Sequence, residues 1–318
     1  MSIVAAPQLT QFALDVAEGL GSTGQKKLSP HYFYDELGSA LFEAITLLPE
    51  YGLTRADERL LLKYSQAIAR RAATVDLVAE LGSGSGRKTR HVLAALGSRG
   101  PLTYSPIDIS PAALSACAIQ LADIAPVKTI CADWLQGLKE LSRERDNHSP
   151  MLLLFLGSSI GNLDRDRVTG FLQDIRESLR PGDLFLLGAD LVKDLETMLA
   201  AYDDPTGVTA AFNLNLLARM NRELGAHFDL RSFAHEVRWN SKERSVEMHL
   251  LSCRDQTVDI DALKRGFAFA AGETIWTESS HKFSRQELDA FAGASGFSTV
   301  STWIDAEWPF AEALWRAC

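Results

Sequence analysis

The chain has 318 residues, 46% of them hydrophobic and 23% charged, which is enough for one large globular domain or two modest ones. Its net charge of -9 and its pI of about 5.3 argue against an enzyme of nucleic acids, which normally presents a basic face.

The four cysteines lie far apart and form no C-x-x-C pair, so the spacing predicts reduced thiols and no disulfide framework. The N-terminus has no basic segment before an apolar core, which predicts the absence of a signal peptide. The longest apolar runs, such as residues 151–156, are too short to span a bilayer. We therefore expect a cytoplasmic protein.

Residues 1–55 are predicted to be helical and rich in aromatic side chains. Ser29 and Pro30 can begin a helix, with serine as the cap and proline in the first turn. A second helix is predicted over residues 36–47 from apolar residues at helical spacing, namely Leu37, Leu41, Phe42 and Ile45.

Residues 56–192 alternate between strand and helix patterns. Strands are predicted at 74–81, 102–109, 127–132, 151–156 and 184–187. Helices are predicted at 59–72, 87–96, 110–121 and 165–179. Apolar strands that alternate with helices indicate a parallel sheet covered on both faces, which binds ligands at the carboxyl ends of its strands.

A glycine-rich loop follows the first of these strands. Glu80 and Leu81 precede Gly82-Ser83-Gly84-Ser85-Gly86, in which three glycines alternate. The order of strand, acidic residue and glycines resembles the S-adenosylmethionine loop of class I methyltransferases. A dinucleotide loop of the form G-x-G-x-x-G requires glycine where this chain has Arg87. A turn that is merely rich in glycine and serine is the alternative.

The pattern changes after residue 192. Helices are predicted at 195–201 and 208–224, a hairpin from strands at 233–239 and 245–253, and another strand at 266–270. A helix at 284–292 and strands at 297–304 and 311–316 follow. This tail resembles the closing antiparallel hairpin of class I methyltransferases.

These patterns predict an α/β protein with a Rossmann-like class I methyltransferase sheet and a second, inserted α+β domain. The cofactor domain is then discontinuous and comprises residues 56–192 and 282–318. The substrate-binding domain comprises residues 8–55 and 193–281.

Carboxylates follow or end the predicted strands. Asp108 lies 22 residues beyond Gly86, where it can accept hydrogen bonds from both ribose hydroxyls, although this spacing also fits NAD. Asp133 and Trp134 suit the amino group and ring face of adenine, and a helix cap is the alternative for Asp133. In this fold Glu80 is expected near the methionine amino group; a capping or turn role is the alternative.

The segment Gly157-Ser-Ser-Ile-Gly-Asn162 follows the fourth strand. Many enzymes that methylate amino groups of nucleobases and glutamine carry D/N-P-P-Y/F here, so those acceptors are disfavoured. An asparagine at this edge can hold a small polar acceptor instead.

Longer segments of the chain resemble the L-histidine Nα-methyltransferases of ergothioneine biosynthesis. They occur in family order from about residue 28 to the C-terminus, at 33–39, 48–55, 80–84, 155–163, 188–194, 201–204, 207–213, 221–224 and 271–283. The resemblance implies transfer of three methyl groups from S-adenosylmethionine to the α-amino group of L-histidine. The products are hercynine and S-adenosylhomocysteine.

The resemblance also implies roles for individual residues. Asn162 and Tyr202 are expected to hold the amino and carboxylate groups of the substrate, with Tyr34 near the reacting nitrogen. The imidazole is expected to contact Tyr51, Glu278 and Ser280, in a pocket lined by Thr209, Met248 and Phe42. The cofactor set is Glu80, Gly82, Ser83, Gly84, Lys88, Asp108, Asp133, Trp134 and Gly157.

Simpler explanations exist for several of these residues. Tyr34, Phe42 and Tyr51 suit an aromatic core. Met248 lies in an apolar alternation that is ordinary in a strand core, Glu278 suits a solvated strand, and Asn162 suits a helix cap.

Two other activities stay open at this point: an N-methyltransferase for another α-amino acid such as a tryptophan derivative, and a nicotinamide-dependent oxidoreductase. A non-catalytic cofactor-binding subunit is a third alternative. The seven histidines show no metal-ligand spacing, so we expect no metal. We also expect a monomer whose partner is the small-molecule substrate, without nucleic acid or membrane.

Overall fold

The computed structural model describes residues 9–146 and 150–318, so residue 8, the predicted start of the substrate-binding domain, lies outside the described residues. The chain forms two compact units. The first unit comprises the described residues up to Tyr51 together with Leu195–Ser279, and the second comprises Gly52–Asp194 and Ser280–Cys318. The roles of cofactor and substrate binding that the sequence assigns to two domains stay predictions.

The α-helices of the described residues are, in chain order, α1 (Gln11–Leu20), α2 (Glu36–Thr46), α3 (Gly52–Arg71), α4 (Arg90–Gly97), α5 (Pro111–Leu121), α6 (Trp134–Glu144), α7 (Val168–Ser178), α8 (Leu195–Ala200), α9 (Val208–Leu224) and α10 (Arg285–Ala294). Within residues 9–146 and 150–318, none of them is long and apolar enough to cross a membrane.

The strands are β1 (Lys26–Lys27), β2 (Leu77–Leu81), β3 (Thr103–Asp108), β4 (Ile130–Cys131), β5 (Met151–Phe155), β6 (Leu184–Asp190), β7 (Phe233–Asn240), β8 (Ser245–Ser252), β9 (Gln256–Ile260), β10 (Arg265–Phe269), β11 (Thr274–His281), β12 (Phe297–Ile304) and β13 (Phe310–Ala317).

The second unit contains a seven-stranded sheet in the order β12-β13-β6-β5-β2-β3-β4. The strands from β6 to β4 run parallel, whereas β13 is antiparallel to both β6 and β12. The predicted parallel sheet and its closing antiparallel hairpin are therefore confirmed. Because parallel strands end at the same edge, the loops after β2, β3, β4 and β5 come together there.

Strand β5 shows why the sheet is buried on both faces. All five of its residues are apolar and buried, and successive side chains point to opposite faces. Leu153 and Phe155 pack with residues of α6, α7 and α10, whereas Leu152 and Leu154 pack with residues of α3, α4 and α5. Helices on both faces supply the apolar cover that parallel strands require.

The first unit contains a four-stranded sheet in the order β1-β11-β8-β7 and a two-stranded sheet of β9 and β10. The predicted hairpin is confirmed as the antiparallel pair β7 and β8. Helix α9 has the predicted bounds, while β9 and β11 were not predicted from the sequence.

Some predicted elements were wrong in detail. Helix α3 begins at Gly52 and not at residue 59. A glycine is needed at its first position because a Cβ there would lie 2.1 Å from the ring of Trp308. The helix predicted to begin at Pro30 is one 3₁₀ turn, Pro30–Phe33. Leu37 follows the helical spacing of α2 but is 52% exposed, so the buried face of this helix is narrower than its periodicity predicts.

Ser284 tests the contribution of a local cap to the stability of the second unit. Its hydroxyl accepts a hydrogen bond from the Glu287 N–H (3.3 Å), and the Glu287 carboxylate accepts one from the Ser284 N–H (2.8 Å). We expect Ser284→Ala to lower the free energy of unfolding by about 1 kcal/mol in urea denaturation. Ser284→Thr keeps the hydroxyl and should stay close to wild type; an equal loss in both variants would contradict the capping role.

Candidate active site

The glycine loop after β2 needs glycine for two different reasons. Gly82, Gly84 and Gly86 have φ of 67°, 51° and 72°, a region that other residues rarely adopt. A Cβ on Gly86 would lie 2.7 Å from the Cys117 sulfur, whereas one on Gly84 would meet nothing within 4 Å. The loop is thus closely packed at Gly86 and open at Gly84.

Asp108 and Trp134 lie beside this loop, as expected from the ends of neighbouring strands. The Asp108 carboxylate accepts hydrogen bonds from the Gly84 N–H (3.2 Å) and the Ser110 N–H (2.9 Å). The Trp134 indole nitrogen is 3.1 Å from the position of a Cβ on Gly82. The structure therefore brings the loop, a carboxylate and an indole ring together.

Asp133 caps helix α6, since its carboxylate accepts a hydrogen bond from the Gln136 N–H at 2.9 Å. This is the capping alternative considered from the sequence, and it uses one of the two carboxylate oxygens. The carboxylate is exposed, so capping and adenine recognition are compatible.

Glu80 lies inside β2, one residue before the strand ends, and is 3% exposed. Its carboxyl accepts hydrogen bonds from the hydroxyls of Thr89 (2.7 Å) and Tyr104. Burial raises the pKa of Glu80 to about 7, although these two hydrogen bonds oppose the rise. These bonds join β2 to β3 and to the residue that precedes α4, so Glu80 has a structural role that the sequence did not indicate.

Lys88 belongs to a buried group of charges in the second unit. Its ammonium pairs with the carboxylate of Asp57, which also accepts a hydrogen bond from the Gly157 N–H at 2.9 Å. The Lys88 nitrogen is 3.4 Å from the position of a Cβ on Gly157. Burial, together with the charge of Asp57, raises the pKa of Glu312 well above its usual value. This shift favours the protonated, neutral form of Glu312.

The segment after β5 turns sharply. Gly157 and Ser158 both have positive φ, of 70° and 60°, and a 3₁₀ turn, Ser159–Asn162, follows. The Ser158 hydroxyl accepts a hydrogen bond from the Asp190 N–H at 2.9 Å, which ties this turn to the end of β6. Asn162 is the last residue of the 3₁₀ turn, and its side chain is half-buried.

Aromatic candidates of the first unit form a continuous cluster. Ring centroids are 5.6 Å apart for Tyr34 and Phe42, 6.4 Å for Phe42 and Tyr51, and 6.2 Å for Tyr51 and Tyr202. Phe212 of α9 lies 5.9 Å from Tyr34 and 6.0 Å from Phe42. Tyr202 is thus joined to three rings of the N-terminal segment, and Phe212, which sequence reasoning missed, packs against two of those rings.

The other substrate candidates lie on helices and strands. Thr209 is buried in the first turn of α9, where its N–H donates to the Asp204 carboxylate at 2.7 Å. Met248 is 2% exposed in β8, as the strand-core alternative requires. Glu278 and Ser280 lie two residues apart on β11 and are 9% and 5% exposed, so Glu278 is not a solvated strand residue.

The buried acids Asp57 and Glu312 were also missed from the sequence. A glutamate within the apolar run 310–315 was the available signal for Glu312, because a fully buried Glu is rare unless it has a partner. Asp57 gave no comparable signal, since it precedes the predicted start of its helix. In the part of the chain that the structure describes, no group of three His, Cys, Asp or Glu residues could hold a metal ion.

The fold and the strand-end residues define a class I S-adenosylmethionine-dependent methyltransferase: a parallel sheet with an antiparallel closing hairpin, a glycine loop, and the carboxylate and indole beside it. More narrowly, the chain belongs to the S-adenosylmethionine-dependent, histidine-specific methyltransferase family, which it matches over residues 12–317. The resemblance seen in the sequence is confirmed, and the protein is an enzyme.

Similar proteins come from bacteria and fungi. The chain is 42% identical over 304 residues to the histidine N-alpha-methyltransferase of Mycobacterium tuberculosis, over 94% of this chain and 93% of that protein. The protein of the same name from Mycolicibacterium smegmatis is 40% identical over 94% of this chain and 93% of that protein. Ergothioneine biosynthesis protein 1 of Neurospora crassa is 29% identical over 88% of this chain but only 32% of its own length.

The neutral Glu312 predicts how stability depends on pH. The folded protein keeps this proton, whereas the unfolded chain releases it above a pKa of about 4.5, so wild-type stability should fall as pH rises from that value. Glu312→Gln removes this titration. Thermal unfolding should show the variant gaining on wild type as the pH rises above about 5, by up to about 1.4 kcal/mol per pH unit, until the folded protein also releases this proton.

Glu177→Gln, a change at an exposed residue of α7, is the matched control and should keep a constant offset from wild type. A constant offset for Glu312→Gln as well would contradict a buried neutral acid at this position.

Proposed function

We propose that the protein transfers three methyl groups from S-adenosylmethionine to the α-amino group of L-histidine. The products are Nα,Nα,Nα-trimethyl-L-histidine (hercynine) and S-adenosylhomocysteine, in the first step of ergothioneine biosynthesis. The observation that carries the proposal is the family match over residues 12–317, which includes all the candidate residues.

The residues around the glycine loop fit the proposed cofactor. Gly84 has open space where a side chain would lie, and Asp108 keeps acceptor capacity for ribose hydroxyls beside it. Trp134 offers a ring face for adenine, and Lys88 offers an ammonium for the cofactor's carboxylate. The bound cofactor supplies a methyl group already activated on a sulfonium, so the protein's task is mainly proximity and orientation.

The substrate's amine must be neutral to attack, and its protons must leave. We assign its amino and carboxylate groups to Asn162 and Tyr202 and place Tyr34 near the reacting nitrogen. A tyrosine hydroxyl or an ordered water can relay the protons. The third transfer creates a fixed cation, which aromatic faces such as that of Tyr34 can stabilise. The ring cluster around Phe212 supports this assignment.

The imidazole is assigned to Tyr51, Glu278 and Ser280, with Phe42, Thr209 and Met248 lining the pocket. A carboxylate that accepts a hydrogen bond from an imidazole N–H makes a charge-assisted interaction, which selects histidine over apolar amino acids. The burial of Glu278 supports a role in binding, because a low local dielectric strengthens a charge-assisted hydrogen bond.

We further propose that the enzyme is a cytoplasmic monomer that works without a metal. The activated sulfonium methyl makes a Lewis acid unnecessary, and the acidic net charge supports a small-molecule partner over nucleic acid.

The direct test is mass spectrometry of L-histidine incubated with the protein and S-adenosylmethionine, beside tryptophan, tyrosine and α-N-blocked histidine. We expect trimethylation of L-histidine alone. Methylation of the blocked histidine would show that the methyl groups go to the imidazole ring and not to the α-amino group. Methylation of tryptophan in preference to histidine would show that histidine is not the substrate.

Changing Glu278 tests the imidazole contact. We expect Glu278→Leu to lower kcat/KM for histidine by about tenfold to a hundredfold, the equivalent of a lost charge-assisted hydrogen bond of about 1.5–3 kcal/mol. Glu278→Gln keeps the size and one acceptor oxygen and should lose less. S-adenosylhomocysteine affinity, measured by calorimetry, should not change in either variant. Unchanged histidine methylation in Glu278→Leu would refute the contact.

A further inference from the structure

A fully buried amide, that of Asn213 on helix α9, joins three strands of the first unit's sheet. Its Nδ2 donates a hydrogen bond to the His249 carbonyl oxygen of β8 at 3.0 Å and lies 2.9 Å from Nδ1 of His235 in β7. Its Oδ1 accepts a hydrogen bond from the Thr277 hydroxyl of β11 at 2.8 Å. Both polar atoms of this amide therefore have partners, as a buried amide requires.

The His249 carbonyl determines which way the amide faces. A backbone carbonyl only accepts hydrogen bonds, so the nitrogen of the Asn213 amide must face it, because the reversed amide would place two acceptors 3.0 Å apart. The amide nitrogen offers donors only, so His235 Nδ1 must accept a hydrogen bond from it. Nδ1 of His235 therefore carries no proton.

The other ring nitrogen of His235 has the opposite role. Nε2 lies 2.8 Å from the Tyr202 carbonyl oxygen, which is an acceptor, so Nε2 must carry the ring proton. His235 is thus held as the neutral Nε2–H tautomer, an acceptor toward Asn213 and a donor toward Tyr202. The other tautomer would oppose like groups at both ends, and an imidazolium would place a second N–H against the Asn213 amide.

The segment between α8 and α9 contains Tyr202 and is held at two points. His235 binds the carbonyl oxygen of Tyr202, and the Asp204 carboxylate accepts a hydrogen bond from the Thr209 N–H in the first turn of α9. The side chain of Tyr202 is 7% exposed and belongs to the aromatic cluster of substrate candidates. The contact with His235 therefore fixes the backbone from which this candidate side chain projects.

We propose that His235 is a positioning residue for the amino-acid head of the substrate: Asn213 fixes its Nε2–H tautomer, and this N–H holds the backbone of Tyr202. The proposal rests on the proposed function, because it assumes that the Tyr202 hydroxyl contacts the amino or carboxylate group of histidine. His235 itself acts through Tyr202 and is not assigned a contact with the substrate.

Asn213 also supports other parts of the candidate pocket. The Thr277 hydroxyl shares its one proton between Asn213 Oδ1 and the Met248 carbonyl oxygen, which it contacts at 2.9 Å, and Thr277 precedes Glu278 on β11. A change at Asn213 would therefore disturb several candidates together. The sharper test changes His235 and leaves Asn213 in place.

Two substitutions at His235 separate its two contacts. Glutamine carries an amide nitrogen near the position of Nε2, so His235→Gln keeps a donor for Tyr202. Asparagine is one methylene shorter, so His235→Asn keeps a polar group only near Nδ1. In protein saturated with S-adenosylhomocysteine, we expect calorimetry to give a Kd for histidine about tenfold above wild type in His235→Asn, equivalent to about 1.4 kcal/mol, and within about threefold in His235→Gln. Equal losses in the two variants would overturn the proposal.

Asn221, two turns further along α9, provides the matched control. Its side chain makes two hydrogen bonds with the backbone of Phe228, both at 2.8 Å. Asn221→Leu removes these bonds without touching His235 or Tyr202, so the Kd for histidine should stay within about threefold of wild type. A tenfold loss there would show that any lost hydrogen bond of this helix weakens binding, which would overturn the proposal. Unchanged S-adenosylhomocysteine affinity reports that each variant is folded.

The decisive variant combines His235→Asn with Tyr202→Phe. If His235 acts through the Tyr202 hydroxyl, its effect on the Kd for histidine should shrink to within about twofold once that hydroxyl is gone. An effect of the same size in both backgrounds would overturn the proposal. Wild-type protein that does not bind histidine would instead refute the proposed function.

The tautomer of His235 can be measured without any substrate. In protein labelled with nitrogen-15 histidine, the signals of His235 are those that disappear in His235→Gln. At about pH 7.5 we expect a protonated Nε2 and an unprotonated Nδ1, because a histidine without such contacts has a pKa of about 6.5 and is neutral there. A protonated Nδ1 would overturn the proposal.

Discussion

The carboxylate of Asp190 is the contact on which the geometry of the second unit's ligand edge most depends. It joins Lys193, Lys282 and Trp308, three segments that are far apart in sequence, at the end of β6. The backbone N–H of the same residue donates to Ser158, in the turn that leads to Asn162. Removing this carboxylate would take an ion-pair partner away from two buried ammonium groups, which costs far more than the loss of one surface ion pair. The position of Ser280 follows from it, because Lys282 is held between Asp190 and that hydroxyl.

A second constraint is the parallel sheet itself. Strands that run in one direction bring their following loops to a single edge, so a glycine loop, Asp108 and Trp134 meet there without any long-range sequence signal. Behind the loop, the buried acids Glu80 and Glu312 are held by burial with raised pKa values. This edge therefore has open space at Gly84 above a buried layer in which Glu80 is hydrogen-bonded to Thr89 and Tyr104. Such a fixed support suits a reaction that chiefly needs orientation of an already activated methyl group.

Much of the fold could be predicted from local pattern, and the failures have a common cause. Helix α9 and the strands of the closing hairpin follow from periodicity and turn residues, within one residue of their observed bounds. The first turn of helix α3 was missed, and its Gly52 packs against Trp308, a residue 256 positions away that no local pattern connects to it. The substrate-binding candidates came from family resemblance, whereas the glycine loop, Asp108 and Trp134 followed from the ends of predicted strands and their spacing. Lys282, Asp190 and Phe212 were missed because their roles depend on contacts between distant segments.

The central claim is that this chain methylates the α-amino group of L-histidine. NMR of the product made from L-histidine and S-adenosylmethionine with a carbon-13-labelled methyl group tests this claim most directly. We predict a single methyl signal that correlates with the histidine α-carbon, because the methyl groups of a trimethylated amine are equivalent. A methyl signal that correlates with the carbons of the imidazole ring would contradict the account.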